Sequence, residues 1–545
     1  MKRKYVTRAD LYIVCHYLGY IMQGLGIVLL LPIVVALIYG EYINAAAFLI
    51  PCSISLAIGT FFVKKYREYD KLRLKHGMII SSFAWLWASL LGATIMVLSL
   101  DIHFVDALFE NMSAWTGSGM TFFVNVEILP RSILFLRSLE QWIGGLGIVI
   151  IFIGILIRSG TAASRLYKSE AREEKIKPNI TNTLKKALEI YLIFTACGIA
   201  LYVLVGLSLF DAINLTFTTL STGGMSIKNA NIGYYQNDLV YIISIILMIL
   251  GATSFTVHYA VVKTKGKAML KDIQFQLLIF LIVIGSIIIL ITNNVVPIEG
   301  VFTVVSAITT TGANIVPAQE LACWNGSSLV VLMILMIIGG SSGSTVGGLK
   351  LIRVLTVLKG LNLTVTNLVS PEGRVISTKI RGKKINEREI KEASAYITLF
   401  LIFLVFGWFV MTLYGYDPFT ALFDVVSLIS NNGLSTGIVF GGLPIPVKIT
   451  LIFLMWVGRL EIIPVLVVVR AGLEIIVPKK KIRRARKRRE REREERKMMQ
   501  EKKELEKKRE KNRKEREKKH AKREAERKKH ESDEEWEDDE DFSSI

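Results

Sequence analysis

The chain has 545 residues, 52% of them hydrophobic, with a mean hydropathy of +0.44 and a formal net charge of +20. From Lys479 onward 29 basic and 21 acidic residues fill 50 of 67 positions, whereas the first 478 residues hold 38 basic and 26 acidic. Roughly one position in seven of that first part is charged, against about one in four in a soluble domain; this excludes an ordinary soluble enzyme and predicts a membrane domain.

A membrane-spanning helix takes about 20 mostly apolar residues. Apolar runs near 11–39, 46–63, 77–100, 132–157, 187–209, 236–262, 274–293, 327–358, 394–414 and 446–470 predict ten spans. The first run is too long for a signal peptide and has no small-residue cleavage site, so it counts as a span. Cys15, Cys52, Cys197 and Cys323 are scattered and show neither zinc spacing nor a disulfide framework.

Charge orients the spans. The N-terminal MKRKYVTR, residues 64–75, Arg158–Lys186, 263–272, Lys350–Lys391 and the KKKIRRARKRR segment are all basic. The alternate loops contain only Arg131, Lys228 and Lys448 as Lys or Arg. Basic loops stay on the cytoplasmic side, so both termini are expected there, in a multi-pass protein of the cell membrane.

Four outer loops contain apolar segments of about a dozen residues, near 106–118, 211–222, 297–311 and 417–432. A dozen helical residues reach only about 18 Å, so each is expected to be a re-entrant half-helix. Asp106 and Asp211 suit helix N-caps, and Asp417-Pro418 suits a cap followed by the first helical position. The segments share a pattern. SAWTGSGMT, SAITTTGAN and SLISNNGLS each place a Ser six residues before a Gly, namely Gly119, Gly312 and Gly433. FTTLSTGGM lacks that Ser and aligns on Gly223, with Gly224 as the alternative register.

The repeating unit is therefore helix, half-helix, helix, used four times in one orientation. Inverted-repeat carriers need alternating orientations. Half-helices entering from outside point their negative dipole ends at the membrane centre. Turns converging there form a ring of carbonyl oxygens able to replace a cation's water. The expected fold is an all-α integral membrane protein with four parallel repeats in pseudo-fourfold symmetry, plus two extra N-terminal transmembrane helices. The expected divisions are 1–76 for the extra helices, then repeats at 77–158, 159–272, 273–392 and 393–478, then a charged tail at 479–545. The expected filter comprises Gly119, Gly223, Gly312 and Gly433 with the preceding Ser118, Thr222, Thr311 and Asn432.

Within 327–358 the run GGSSGSTVGG, with Gly339, Gly340, Gly343, Gly347 and Gly348, cannot form a plain helix. It reads as a flexible intramembrane loop below the filter, either a gate or a loose hinge. Its residue order is not that of a phosphate-binding loop. Arg459 and Glu461 lie inside the last run, where charges usually face a path or a partner. Two residues apart on a helix, they share no face. Arg459 is expected to point into the path as a barrier to cations, to bond the carbonyls of the 339–348 loop, or both. His258 and Lys350 read as interfacial, and Glu140 reads equally as a structural hydrogen-bonding group or a cation site.

These features resemble the Trk/Ktr/HKT potassium transporter superfamily, through RSLEQWIGGLGIVI (137–150), STGGMS (221–226), GGSSGSTVGGLKLIRV (339–354) and GRLEI (458–462). The two extra helices make the TrkH branch the best match, over about residues 10–475. The resemblance implies potassium uptake, with sodium as a second candidate ion. It implies filter roles for the four glycines, a gating role for 339–348 and a pore arginine in Arg459. It further implies a homodimer and a separate TrkA-type nucleotide- and NAD-binding regulatory subunit, since no strand followed by GxGxxG occurs in this chain. No catalytic constellation and no organic cofactor are expected. The other readings are a pore subunit of a potassium-pumping ATPase and a membrane scaffold acting through its tail.

The tail is covered by no resemblance. Its Lys/Arg/Glu mixture suits a solvated helix with i,i+4 pairs. The segment from Glu531 to Ile545 reads as disordered. Anionic lipid is the expected neighbour of its first basic cluster, and nucleic acid is not an expected partner.

Overall fold

The computed structural model describes residues 8–66, 72–148, 180–264, 266–371, 379–380, 383–439, 442–476 and 479–537. The chain divides into two units, 1–470 and 471–545. The first is an all-α membrane domain; the only strands among the described residues are the two-residue pair Lys379–Ile380 and Lys383–Lys384. Seven described helices are long and apolar enough to cross a membrane, or nine if two sharply bent pairs each count as one. The expected span 132–157 is represented by a helix over Arg131–Leu146, and its later part lies outside the described residues.

Helices α1 (Arg8–Val28), α2 (Leu31–Ile38) and α3 (Tyr42–Lys65) precede the repeats. The first repeat is built of α4 (Leu74–Leu100), α5 (Phe104–Thr116) and α6 (Arg131–Leu146). The second is α7 (Ile180–Leu204), α8 (Leu209–Leu220), α9 (Asp238–Ala252) and α10 (Phe255–Thr264). The third is α11 (Ile273–Thr292), α12 (Pro297–Ile308), α13 (Gly326–Ile338) and α14 (Leu351–Val369). The fourth is α15 (Glu387–Leu413), α16 (Pro418–Ile429), α17 (Ile445–Arg459) and α18 (Ile463–Ile476).

The four half-helices α5, α8, α12 and α16 fall on the four expected segments. Their starts are sealed differently from the expectation at two of them. His103 caps α5 by accepting from Val105 N, and Ser208 caps α8 by accepting from Asp211 N. Asp106 and Asp211 instead occupy the first turn, where a carboxylate still favours the positive helix end. Asp106 there takes an ion pair with Lys448 of α17. Asp417 does cap α16, accepting from Phe419 N at 3.2 Å and Thr420 N at 3.0 Å, with Pro418 following.

The inner helices correct a second expectation. Only 327–358 was expected to be interrupted, yet α9 and α10 meet at 105° and α17 and α18 at 114°. The breaks fall where the inner helix reaches the carbonyl end of its own half-helix. A methyl group on Gly144, Gly251 or Gly458 would lie less than 3.0 Å from the carbonyl oxygen of Trp115, Leu220 or Ile429 respectively. Close backbone packing at these three points needs the missing side chains, and the freed peptide groups beyond them find partners in neighbouring segments.

In the second unit Lys479–Glu537 forms a single helix of 59 residues, about 88 Å long at 1.5 Å per residue. Lys514–Glu510 at 3.0 Å and Arg513–Glu517 at 3.3 Å are i,i+4 pairs. The acidic end, expected to be disordered, is helical as far as Glu537; the residues after it lie outside the described set.

Candidate functional site

Each half-helix ends in the same turn. The amides of Ser118, Gly223, Thr311 and Asn432 donate to the carbonyls of Ser113, Thr218, Ser306 and Ser427, five residues back, at 2.9–3.0 Å. The residue before each of these has positive φ (Gly117 73°, Thr222 55°, Thr310 46°, Asn431 53°), as does the residue after (Gly119 72°, Gly224 73°, Gly312 73°, Gly433 116°). The second copy therefore registers on Gly224 rather than Gly223, and Gly223, not Thr222, is the counterpart of Ser118, Thr311 and Asn432. In this register the missing hydroxyl six residues upstream is supplied by Thr218, a signal present in the sequence.

The four turns close on one another in cyclic order. A methyl on Gly119 would strike the Gly223 carbonyl oxygen, one on Gly224 the Thr311 oxygen, one on Gly312 the Asn432 oxygen, and one on Gly433 the Ser118 oxygen, each at less than 3.0 Å. A Cβ is thus excluded twice, by this contact and by the positive φ. The flanking side chains are committed elsewhere. Ser118 Oγ accepts from Asn431 Nδ2 at 2.9 Å, Thr311 Oγ1 pairs with Thr309 Oγ1 at 2.7 Å, and Asn432 Nδ2 donates to Ala307 O at 2.8 Å.

Buried polar groups hold the segments leaving the turns. Glu110 of α5 accepts from Thr121 Oγ1 at 2.9 Å and Phe122 N at 3.1 Å, two and three residues past Gly119. Asp424 of α16 does the same nine residues before Gly433, accepting from Ser435 Oγ at 2.9 Å and Thr436 N at 2.8 Å. Arg137 of α6 pairs with Glu110 at 2.7 Å and donates to Ser226 O at 3.0 Å, linking the first turn to the second. Gln141 donates to Gly223 O at 2.7 Å and accepts from Met225 N at 3.0 Å. None of these four was singled out from the sequence for this role.

The 339–350 segment is non-helical, with positive φ at Gly339, Gly343, Gly348 and Lys350. It is not the loosely held loop expected. Gly347 N donates to Thr310 Oγ1 at 2.8 Å, Gly348 N to Ser430 O at 3.0 Å, and Ser341 N to Ala252 O at 3.0 Å, while Gly340 O accepts from Leu351 N at 3.0 Å. Thr345 is its hub. Its amide and hydroxyl both donate to Gly251 O, at 3.1 and 2.9 Å, and the hydroxyl meets Thr222 Oγ1 at 3.1 Å. The segment is thus stitched to the ends of three half-helices. Lys350 curls back to donate to Val346 O and is 9% exposed, so it does not snorkel. His258 lies against Leu250 O at 2.9 Å, a satisfied histidine across the α9–α10 bend.

Arg459 closes α17. It donates to Thr345 O at 3.0 Å, to Gly145 O at 3.1 Å and to Gly144 O, and its guanidinium lies over Trp85 at 5.3 Å. A cavity is lined by the 342–348 segment, Trp85, Lys350, Arg459 and Glu461. A second, on the other face of the turns, is lined by Gly119, Gly312, Gly433, Arg137, Lys228 and Ser435 among others. Glu461, at φ 56° outside either helix, pairs with Arg353 of α14, which in turn lies over Tyr396 at 4.4 Å. The break between α17 and α18 is what separates Arg459 and Glu461.

Comparison with known proteins agrees with this architecture. The family model TrkH, described as cation transport protein, matches residues 45–479. A protein of Methanocaldococcus jannaschii, described as an uncharacterized cation transporter, is 42% identical over 85% of this chain and 96% of its own length. The Trk system potassium uptake protein TrkG of Escherichia coli is 31% identical over 84% of this chain and 97% of its own. The crystal structure of the potassium transporter TrkH from Vibrio parahaemolyticus superposes with a TM-score of 0.75 at 27% identity, covering 84% of this chain and 98% of that one. On these residues and this architecture, the chain belongs to the TrkH cation transport protein family.

Proposed function

We propose that the chain takes up potassium across the cell membrane through the path on which the four turns converge. The filter comprises Gly119, Gly224, Gly312 and Gly433 with the carbonyls of Ser118, Gly223, Thr311 and Asn432. The observation that carries this reading is the cyclic closure of the four turns, each glycine abutting the next repeat's carbonyl. The negative ends of four half-helix dipoles meet there. Backbone oxygens fixed in place substitute for a cation's hydration shell, and Glu110, Asp424, Arg137 and Gln141 keep them from relaxing around a smaller ion.

Below the filter, the 339–350 segment with Gly339, Gly340, Gly343, Gly347 and Gly348 is the gate. Arg459 is its latch and an electrostatic barrier to cations. Its three carbonyl bonds hold a positive charge at the path, and opening requires that they be exchanged. The transport step uses no catalytic residue and no organic cofactor of this chain. The same reading sets both termini in the cytoplasm and pairs two copies as a homodimer served by a separate TrkA-type regulatory subunit. The name TrkG carries "potassium uptake" for that relative, and its similarity supports potassium over sodium here.

The test is growth rescue of a potassium-uptake-deficient cell at low potassium. The wild-type chain is expected to rescue and a Gly312→Ser variant, expressed at equal membrane level, to fail. Equal rescue by both overturns the filter assignment.

A further inference from the structure

Glu140 of α6 is 1% exposed, and among the described residues neither of its carboxylate oxygens has a hydrogen-bond partner. Across from it, Asn111 of α5 is fully buried. Its amide nitrogen donates to Ala107 O at 2.7 Å and lies 3.1 Å from Met96 Sδ, which fixes which way the amide faces. Asn111 Oδ1 is therefore an acceptor, and it too has no partner. Both oxygens converge on Gly92 of α4: Asn111 Oδ1 and Glu140 Oε1 each lie less than 3.0 Å from where a methyl carbon on Gly92 would sit. The indole N–H of Trp115 also faces Glu140, without closing a full hydrogen bond to it.

Glu140 Oε1 and Asn111 Oδ1 face each other across Gly92, and the donor beside them is the Trp115 indole N–H. The charges acting on Glu140 are Glu110 and Arg137, and these are paired to each other at 2.7 Å. Of the elements packed on α6, α2 carries no charge, α8 carries Asp211 and α5 carries Asp106 besides Glu110, while Lys448 and Arg459 lie on α17, which packs against α5. Asp106 and Lys448 pair together, and Arg459 is held by carbonyls. Among the described residues no cation is left over for Glu140, and an unpaired buried carboxylate is costly. A protonated carboxyl, by contrast, carries one O–H donor, and the acceptor facing it is Asn111 Oδ1.

We propose that Glu140 is a proton-binding site of this transporter, its acid proton donated to Asn111 Oδ1. The site joins the two elements that the transport reading depends on, and its link to transport rests on that reading. Asn111 and Trp115 belong to the half-helix that runs into Gly117–Gly119. Glu140 stands one helical turn before Gly144, whose carbonyl accepts from Arg459. Loss of the proton turns an attraction between α5 and α6 into repulsion between a carboxylate and an amide oxygen, and the first filter turn loses its support. A bound proton is thus required for conduction.

Infrared spectra of the full chain in lipid nanodiscs test this without any transport assay. At neutral pH the wild type is expected to show the carbonyl stretch of a protonated carboxylic acid, shifting in D2O and absent from E140Q. In N111A, which keeps Glu140, the band is expected to persist at higher frequency because its hydrogen bond is lost; this arm serves if E140Q does not fold. Identical spectra for wild type and E140Q, or for wild type and N111A, overturn the proposal. Rubidium uptake into proteoliposomes then reads the coupling. Wild-type flux falls about tenfold per pH unit above the midpoint of the single-proton titration, and E140Q, which mimics the acid, loses that dependence. A wild-type band with pH-independent flux overturns the coupling while leaving the filter reading intact.

Discussion

Removing Arg137 isolates the contribution of the support behind the filter. Arg137 is 1% exposed and Glu110 fully buried, with Nε and Oε1 2.7 Å apart. Glu110 also holds Thr121 and Phe122, while Arg137 holds Ser226. In Arg137→Met the carboxylate stays buried without its cation, a defect worth about 3–5 kcal/mol. Glu110→Gln leaves the guanidinium unpaired and weakens the bonds to the first turn, with a loss of similar size. The double variant removes both charges, so its loss is expected to fall short of the sum by at least about 2 kcal/mol. Thermal unfolding of the four purified proteins in one detergent supplies the cycle, and rubidium against sodium uptake supplies selectivity. Both single variants are expected to admit more sodium relative to rubidium, because the first and second turns lose their common anchor. Losses that add within about 0.5 kcal/mol, with unchanged selectivity, would refute the idea that the pair acts as one unit on the turns.

Three further outcomes separate the register, the barrier and the tail. Gly224→Ala, which forces a Cβ against the Thr311 carbonyl at positive φ, is expected to abolish rubidium uptake. Gly223→Ala, whose Cβ meets the Gln141 side chain rather than main chain and carries no positive-φ strain, should reduce uptake less; the reverse order in the same assay would restore the alternative register. Arg459→Ala is expected to raise cation flux and alter its voltage dependence in bilayer recordings, and an unchanged current would remove the barrier role. A chain truncated after Pro478 is expected to keep its flux in proteoliposomes, and its loss would assign the charged helix an essential part in transport.

Much of the architecture was legible because membrane solvation leaves a coarse imprint. A span needs length and apolarity, and a half-helix is too short to cross, so both announce themselves in composition. The turns that end the half-helices were legible to within one residue. The shift from Gly223 to Gly224 came from searching for serines like Ser113, Ser306 and Ser427, when Thr218 stands at that position and turns its hydroxyl back to Leu215 O. Glu110, Asp424, Arg137 and Gln141 left no periodic signal, since each acts through one contact made across the fold. The breaks at Thr253–Ser254 and Leu460–Ile462 were hidden for a related reason. Each lies inside a run long and apolar enough to read as one span, and the cause lies in the approach of Leu220 and Ile429 to Gly251 and Gly458. Arg459 was placed correctly near the 339–348 carbonyls, whereas the α6 carbonyls it also takes depend on a crossing that charge patterning does not encode.

The contacts of Gly144, Gly251 and Gly458 with the half-helix carbonyls have a mechanical consequence. Main chain bears directly on main chain there, so no rotamer is available to cushion a displacement. Any tilt of the inner helix in those three units is handed on at full amplitude to the turn it supports, like force through a solid wedge. The third unit has no such bearing on its own half-helix: its inner helix gives way to 339–350 at that depth, and Gly347 bears instead on the Ser430 carbonyl of the fourth unit. Travel accumulates in that quarter of the ring, which makes it the yielding sector of an otherwise stiff collar.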